Sequence, residues 1–196
     1  MKLPIINHKD YFAKIGDDHR FPIGKFGELA NYLIKKKIVE SFYTPYACSE
    51  ETLKRAHSED YIKHIKNKSL DEKSIKKIGF PLIDSVVKRS LIATGGTVLA
   101  SKLAVNYGLA CNTAGGSHHA NFESGAGYCV FNDVAVAAKY LLDRNLAKKI
   151  LILDLDVHQG NGNSDIFKDN KNVFAFSMHS KSNYPAKKSI SDLDIE

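Results

Sequence analysis

Residues 150–153 read Ile-Leu-Ile-Leu and run without a break into Asp154-Leu155-Asp156-Val157-His158-Gln159-Gly160-Asn161-Gly162. A short run that is apolar on both faces suits a central strand of a parallel sheet, where helices cover both sides. Val173-Phe174-Ala175-Phe176 repeats the pattern. Asn132 is placed to cap a helix through Asp133–Leu142, so the order is strand, helix, strand, short helix, strand. That order predicts a wound α/β fold, a three-layer parallel sheet with helices on both faces and right-handed crossovers. Ligands in such sheets bind beyond the carboxyl ends of the strands.

The first half is mainly helical. Phe26, Leu29, Ala30, Leu33 and Ile34 share one face of a helix expected over 25–39. Residues 50–65 read as one or two short helices, and 71–77 as a charged, exposed stretch. Pro81 opens a helical region whose Gly95-Gly96 pair marks a close helix contact. No repeat or linker interrupts residues 1–196, which read as a single α/β domain.

Apolar residues at 43% and charged residues at 26% exclude a disordered or low-complexity chain. No apolar run is long enough to cross a bilayer, and the N-terminus lacks a secretory h-region. Cys48, Cys111 and Cys129 are odd in number and far apart, which points to free thiols in a reducing, cytoplasmic setting. The net charge is +6, but the lysines are scattered among acids. That reads as a solvated basic surface, and no nucleic-acid partner is expected.

The chemistry gathers at the strand ends. In extended chain, residues 154, 156 and 158 point the same way, bringing two carboxylates and an imidazole together. Two readings fit: a divalent metal site, or a hydrogen-bonded turn with Asp caps. Gly160 and Gly162 allow a tight turn beside an ion or substrate. The preceding strand leads to Gly115-Gly116-Ser117-His118-His119. The histidines read either as general acid–base groups or as ordinary packed residues. Gly125-Ala126-Gly127-Tyr128-Cys129 reads as a tunnel wall or a plain turn.

Three segments in order resemble the histone deacetylase superfamily: Gly115–Ala120, Gly125–Asp133 and Ile152–Gly162. That superfamily also includes bacterial acetoin-utilisation and acetylpolyamine amidohydrolase proteins. His19-Arg20-Phe21-Pro22 and Ala56-His57-Ser58 with Tyr61 add to the likeness. Gln159, Asn161 and Ile78-Gly79-Phe80-Pro81 are most similar to the class IV branch and its bacterial relatives.

The resemblance implies the arginase/deacetylase fold and hydrolysis of an N-acyl amide, with an acylated lysine or a polyamine-like molecule as substrate. It implies that Asp156 and His158 are two of three zinc ligands, with iron also compatible. His118 and His119 become the paired active-site histidines, His119 the general base and acid. Asp154 partners His118, and Asn161 stands where some branches place an Asp behind the second histidine. Asp154, Ser177 and Met178 match a structural potassium site. Gly127 and Tyr128 match the substrate tunnel, and Arg20 an arginine lining the interior behind the metal.

The family's third zinc ligand, an Asp, and its oxyanion tyrosine lie further downstream. Asp165, Asp169, Asp192 and Asp194 are in no matching motif, and neither is Tyr184. The chain therefore reads as the N-terminal portion of a deacetylase whose sheet is incomplete at the C-terminus. Asp192, Asp194 or a complementing C-terminal fragment would have to supply the missing acid; the alternative reading is a catalytically inactive remnant. An arginase-type ureohydrolase is disfavoured, because Gly160 stands where that family places a further Asp.

Overall fold

The computed structural model describes residues 3–196. In chain order the elements are β1 (Ile5–Ile6), a 3-10 turn (Lys9–Tyr11), α1 (Lys25–Lys35), α2 (Glu50–Leu53), α3 (Glu59–Asn67), α4 (Glu72–Ile78) and α5 (Asp84–Tyr107). There follow β2 (Cys111–Asn112), α6 (Asp133–Asp143), β3 (Ile150–Asp154), α7 (Asn161–Phe167), β4 (Val173–Met178) and β5 (Leu193–Ile195).

Among the described residues, the pairs between named strands are parallel. β1 pairs with β2, and β3, β4 and β5 form a second sheet in that order. Consecutive strands β2 and β3 are not paired with each other, so each is an edge of its own sheet. A trough separates them: one hollow runs along Asn112–Gly116 and a neighbouring one along Ile150–Asp156, and both are lined by Thr97 of α5 and Val134 of α6.

The expectation of β3 as a central strand covered on both sides is corrected: β3 is the edge of its sheet, and only one of its faces is covered. Ile152 is buried, whereas Leu151 and Leu153 are 62% and 58% exposed. In register beside them, Phe174 is also exposed and Phe176 half-buried. Both faces are apolar, but nothing among the described residues covers the Leu151 side.

Local signals explain the helices. Oxygen-bearing side chains at Ser49, Ser58, Asp71 and Asn132 accept a hydrogen bond from the first turns of α2, α3, α4 and α6. The stretch expected only to be charged and exposed thus folds as α4, with Ile78 turned inward. α1 stops short of Val39, where Lys37 adopts a left-handed φ of 56°. It buries Phe26 and Ala30, but Leu29 and Ile34 lie at the surface. The glycines of α5 do mark a close approach, but of a loop and the 3-10 turn instead of a second helix. A Cβ on Gly95 would sit 2.0 Å from the Tyr46 carbonyl oxygen, and one on Gly96 2.1 Å from the Tyr11 hydroxyl.

Cys48 and Cys129 are buried, Cys111 is exposed, and none is disulfide-bonded. No helix among the described residues is long and apolar enough to cross a membrane.

Candidate active site

β2 delivers the chain into a loop that only glycine can build. Gly115 and Gly116 have φ of 112° and 74°. The Asp133 carboxylate, at the first turn of α6, accepts hydrogen bonds from the Gly116 and Ser117 N–H groups at 3.1 and 2.7 Å, and one from the Thr97 hydroxyl. A Cβ on Gly115 would lie 2.4 Å from that carboxylate. The anchored loop presents His118 and His119, both buried, with ring centres 4.0 Å apart.

Each ring is held through Nδ1. His118 donates to Asp154 Oδ2 at 2.6 Å, and His119 donates to Asn161 Oδ1 at 2.7 Å. Both Nε2 atoms are thereby left as the free position of the ring. Burial pushes His119 down to about 4, helped by the neighbouring His118, so it is neutral at pH 7.

Strand alternation does not gather residues 154, 156 and 158. β3 ends at Asp154, and two successive turns follow, in which each aspartate accepts from the main chain two residues on. Asp154 Oδ1 takes the Asp156 N–H at 3.1 Å, and Asp156 Oδ1 takes the His158 N–H at 2.8 Å. The Asp156 carboxylate also accepts from His158 Nδ1 at 3.0 Å and lies 3.9 Å from His118 Nε2. Burial raises the Asp156 pKa, but the His158 N–H and the two imidazoles outweigh it and hold the group below the usual carboxylate range. Gly160 and Gly162 serve packing: added Cβ atoms would meet Asp154 Oδ2 at 2.1 Å and the Ala120 carbonyl oxygen at 2.3 Å.

These groups open into a cleft of about 580 Å³. One wall is Gly127-Tyr128, pinned to the end of α4 by bonds from the two N–H groups to the Lys77 and Ile78 carbonyls. Tyr128 has a φ of 64°, a conformation that costs a non-glycine residue energy and that its surroundings must impose. The facing wall is Tyr184, whose ring stands edge-on to His119 at 4.8 Å and 6.1 Å from His158. Sequence reasoning set Tyr184 aside. Its signal was position, in the loop beyond the carboxyl end of a parallel strand.

Two expectations are corrected. Arg20 is exposed and does not line the cleft; the arginine that does is Arg89 of α5, buried among Phe21, Phe26 and Phe80. Asp192 and Asp194 cannot stand in as ligands, being committed beside β4 and β5. Asp192 accepts from the Ala175 N–H, and Asp194 from Gln159 and Ser191.

Asp156 and His158 offer carboxylate oxygen and imidazole nitrogen, donors that suit zinc. Their number is two, and among the described residues no group of three or more His, Cys, Asp or Glu gathers to hold a metal. Asp154 and Ser177 are register partners on neighbouring strands. Ser177 is buried and bonded to His179, while Met178 is half exposed.

The parallel sheets, the paired histidines at one strand end and the Asp-x-Asp-x-His turn at the next define a deacetylase-type α/β protein. The chain belongs to the histone deacetylase domain family, whose pattern matches residues 19–195. An uncharacterized protein of Picosynechococcus sp. is 44% identical over 197 residues, covering 100% of this chain and 66% of its own length. Histone deacetylase 2 of Arabidopsis thaliana is 30% identical over 196 residues, covering 94% of this chain and 50% of that protein. The chain thus spans about half to two thirds of these relatives. In three dimensions it resembles a histone deacetylase homologue solved with SAHA, with a TM-score of 0.85 at 24% identity, covering 100% of this chain and 58% of that one. The HD domain of HDA15 gives a TM-score of 0.81 at 19% identity, covering 96% and 57%.

Proposed function

We propose that the cleft hydrolyses an N-acyl amide of the acetyl-lysine or acylpolyamine type. The observation that carries this reading is the unequal pair of oriented imidazoles, one backed by a carboxylate at 2.6 Å and the other by an amide at 2.7 Å. His119, neutral and with Nδ1–H held by Asn161, offers Nε2 to take a proton from an attacking water and to return it to the leaving amine. His118 is oriented through Nδ1 by Asp154, which aims its Nε2 at the position of the reacting carbonyl. Tyr128, Gly127 and Tyr184 flank the opening, where a narrow alkyl chain would lie.

Asp156 and His158 would hold zinc, or iron, which when bound polarises an acyl carbonyl and acidifies water. Asp154, Ser177 and Met178 would hold a potassium ion in a structural role.

Zinc per chain and turnover of a fluorogenic acetyl-lysine substrate test the reading. Turnover that vanishes in His119→Ala is expected, and none from the unmodified chain with zinc supplied would overturn it.

A second reading rests on the donor count of two and on the open trough between β2 and β3. In it the chain acts with a complementing polypeptide that supplies the third ligand. A strand entering the trough parallel to β3 would bring its carboxyl end to the His118–Asp156 cluster. Zinc uptake and turnover would then appear only on mixing with such a fragment.

A further inference from the structure

Arg89 is 7% exposed and carries a charge that no acid among the described residues neutralises directly. Its Nε donates to the Tyr11 carbonyl at 3.0 Å, and the guanidinium carbon lies 4.8 Å from the centre of the Phe26 ring. The acid whose charge acts on it is Asp133, already committed to Gly116, Ser117 and Thr97. Its other ionisable neighbours, Cys129 and Tyr11, are held neutral by burial.

A second cation stands close by. The Lys25 ammonium lies 4.6 Å from the Phe21 ring centre and 5.3 Å from Phe26, rings that Arg89 also faces. Both cations line the cleft that holds His118 and His119. Asp156 is the one acid among the described residues that lines it, and Asp156 is turned toward His158. The guanidinium makes one hydrogen bond among the described residues, through Nε, and lines the cleft beside a second cation, where its planar fork matches a carboxylate.

We propose that Arg89, assisted by Lys25, forms a subsite for a carboxylate at the far end of the acyl group. The preferred ligand is then an amide of a dicarboxylic acid, of the succinyl or glutaryl kind. That this ligand is also a substrate rests on the amide-hydrolase reading; its binding does not.

The test compares N-methylsuccinamate with N-methylbutyramide, which ends in a methyl group where the first has a carboxylate. Both are titrated into the full chain by calorimetry, with the Arg89 Nε–H resonance followed by NMR. The succinamate should bind about tenfold or more tightly and shift that resonance. Arg89→Gln should abolish the preference while the thermal melt stays cooperative, and Arg89→Lys should keep part of it. Equal affinities in the unmodified chain would overturn the subsite without recourse to any variant. So would a preference that survives Arg89→Gln. Acetate that shifts the Arg89 resonance, with no preference between the amides, would assign the subsite to the released acid and overturn its role in reading the acyl end. A binding preference without turnover of a succinyl-lysine substrate would count against the hydrolase reading alone.

Discussion

An amide behind His119 and a carboxylate behind His118 make two adjacent imidazoles chemically different. Both donate Nδ1–H, but Asn161 brings no charge to oppose the burial that pushes His119 down to about 4. Asn161→Asp should therefore raise the His119 pKa by about one unit or more, because a carboxylate favours the imidazolium. An NMR titration of the His119 ring reads this directly, and an unchanged midpoint would mean that burial alone sets it. Gly127 makes a steric counterpart. Its φ is 53°, and an added Cβ would lie 2.6 Å from the His119 ring and 3.1 Å from Tyr184. Gly127→Ala should cost about 1–2 kcal/mol in urea unfolding and displace the His119 ring. His118, His119, Asp156 and His158 were picked out in the sequence by residue type and by the family resemblance, whereas the strand alternation invoked for 156 and 158 is replaced by two Asp-capped turns. Arg89 and Tyr184 were not: one looks like a stray charge in an apolar helix and the other like a loop residue, and only the path of the chain brings them to the cleft.

Asn132 shows how one side chain can join several elements. It is fully buried, its Oδ1 caps α6 by accepting from the Ala135 N–H, and its Nδ2 donates to the Ala120 carbonyl and to Asn163 of α7. The cap was readable from sequence; the ties to the histidine loop and to α7 were not, since they join residues distant in the chain. Asn132→Ala should cost about 2–4 kcal/mol in chemical unfolding, a lost cap plus buried acceptors left unpaired. The Asn132 N–H in turn donates to Nε2 of His57, whose imidazole burial pushes down to about 4. The folded state thus resists a proton that the unfolded chain accepts near pH 6.5. Above that pH both states leave the ring neutral and stability is complete. As pH falls from about 6.5 toward 4, the unfolded state binds more protons and roughly 3 kcal/mol is lost through this group. His119 acts in the same direction over the same window. Urea unfolding at pH 7 and pH 4.5 should show the drop, and equal stabilities would mean that neither ring is buried neutral.

Across the whole molecule, the sheet of β3, β4 and β5 has one covered face and one bare. The bare side carries Leu151 and Leu153 beside Phe174 and Phe176, with Leu193 of β5 in register next to Phe176, and β3 is also an open edge. The sequence shows β3 to be apolar on both faces, but only pairing and packing, which join residues distant in the chain, make it an edge with one face covered. A contiguous apolar face next to an unpaired strand is the arrangement that soluble proteins rarely leave open. It should bind a hydrophobic dye such as ANS and drive association that grows with concentration. Leu151→Lys with Leu153→Lys should suppress both, in fluorescence and in sedimentation velocity. Side chains already 62% and 58% exposed contribute little to the core, so the unfolding free energy should change by less than about 1 kcal/mol. Ile152, one position away on the covered face, gives the contrast: Ile152→Ala should cost about 2–5 kcal/mol and leave dye binding in place. If the lysine pair instead destabilised the chain as strongly as Ile152→Ala, the Leu151 face would already be covered in the isolated chain, and the trough beside it would be closed to any complementing strand.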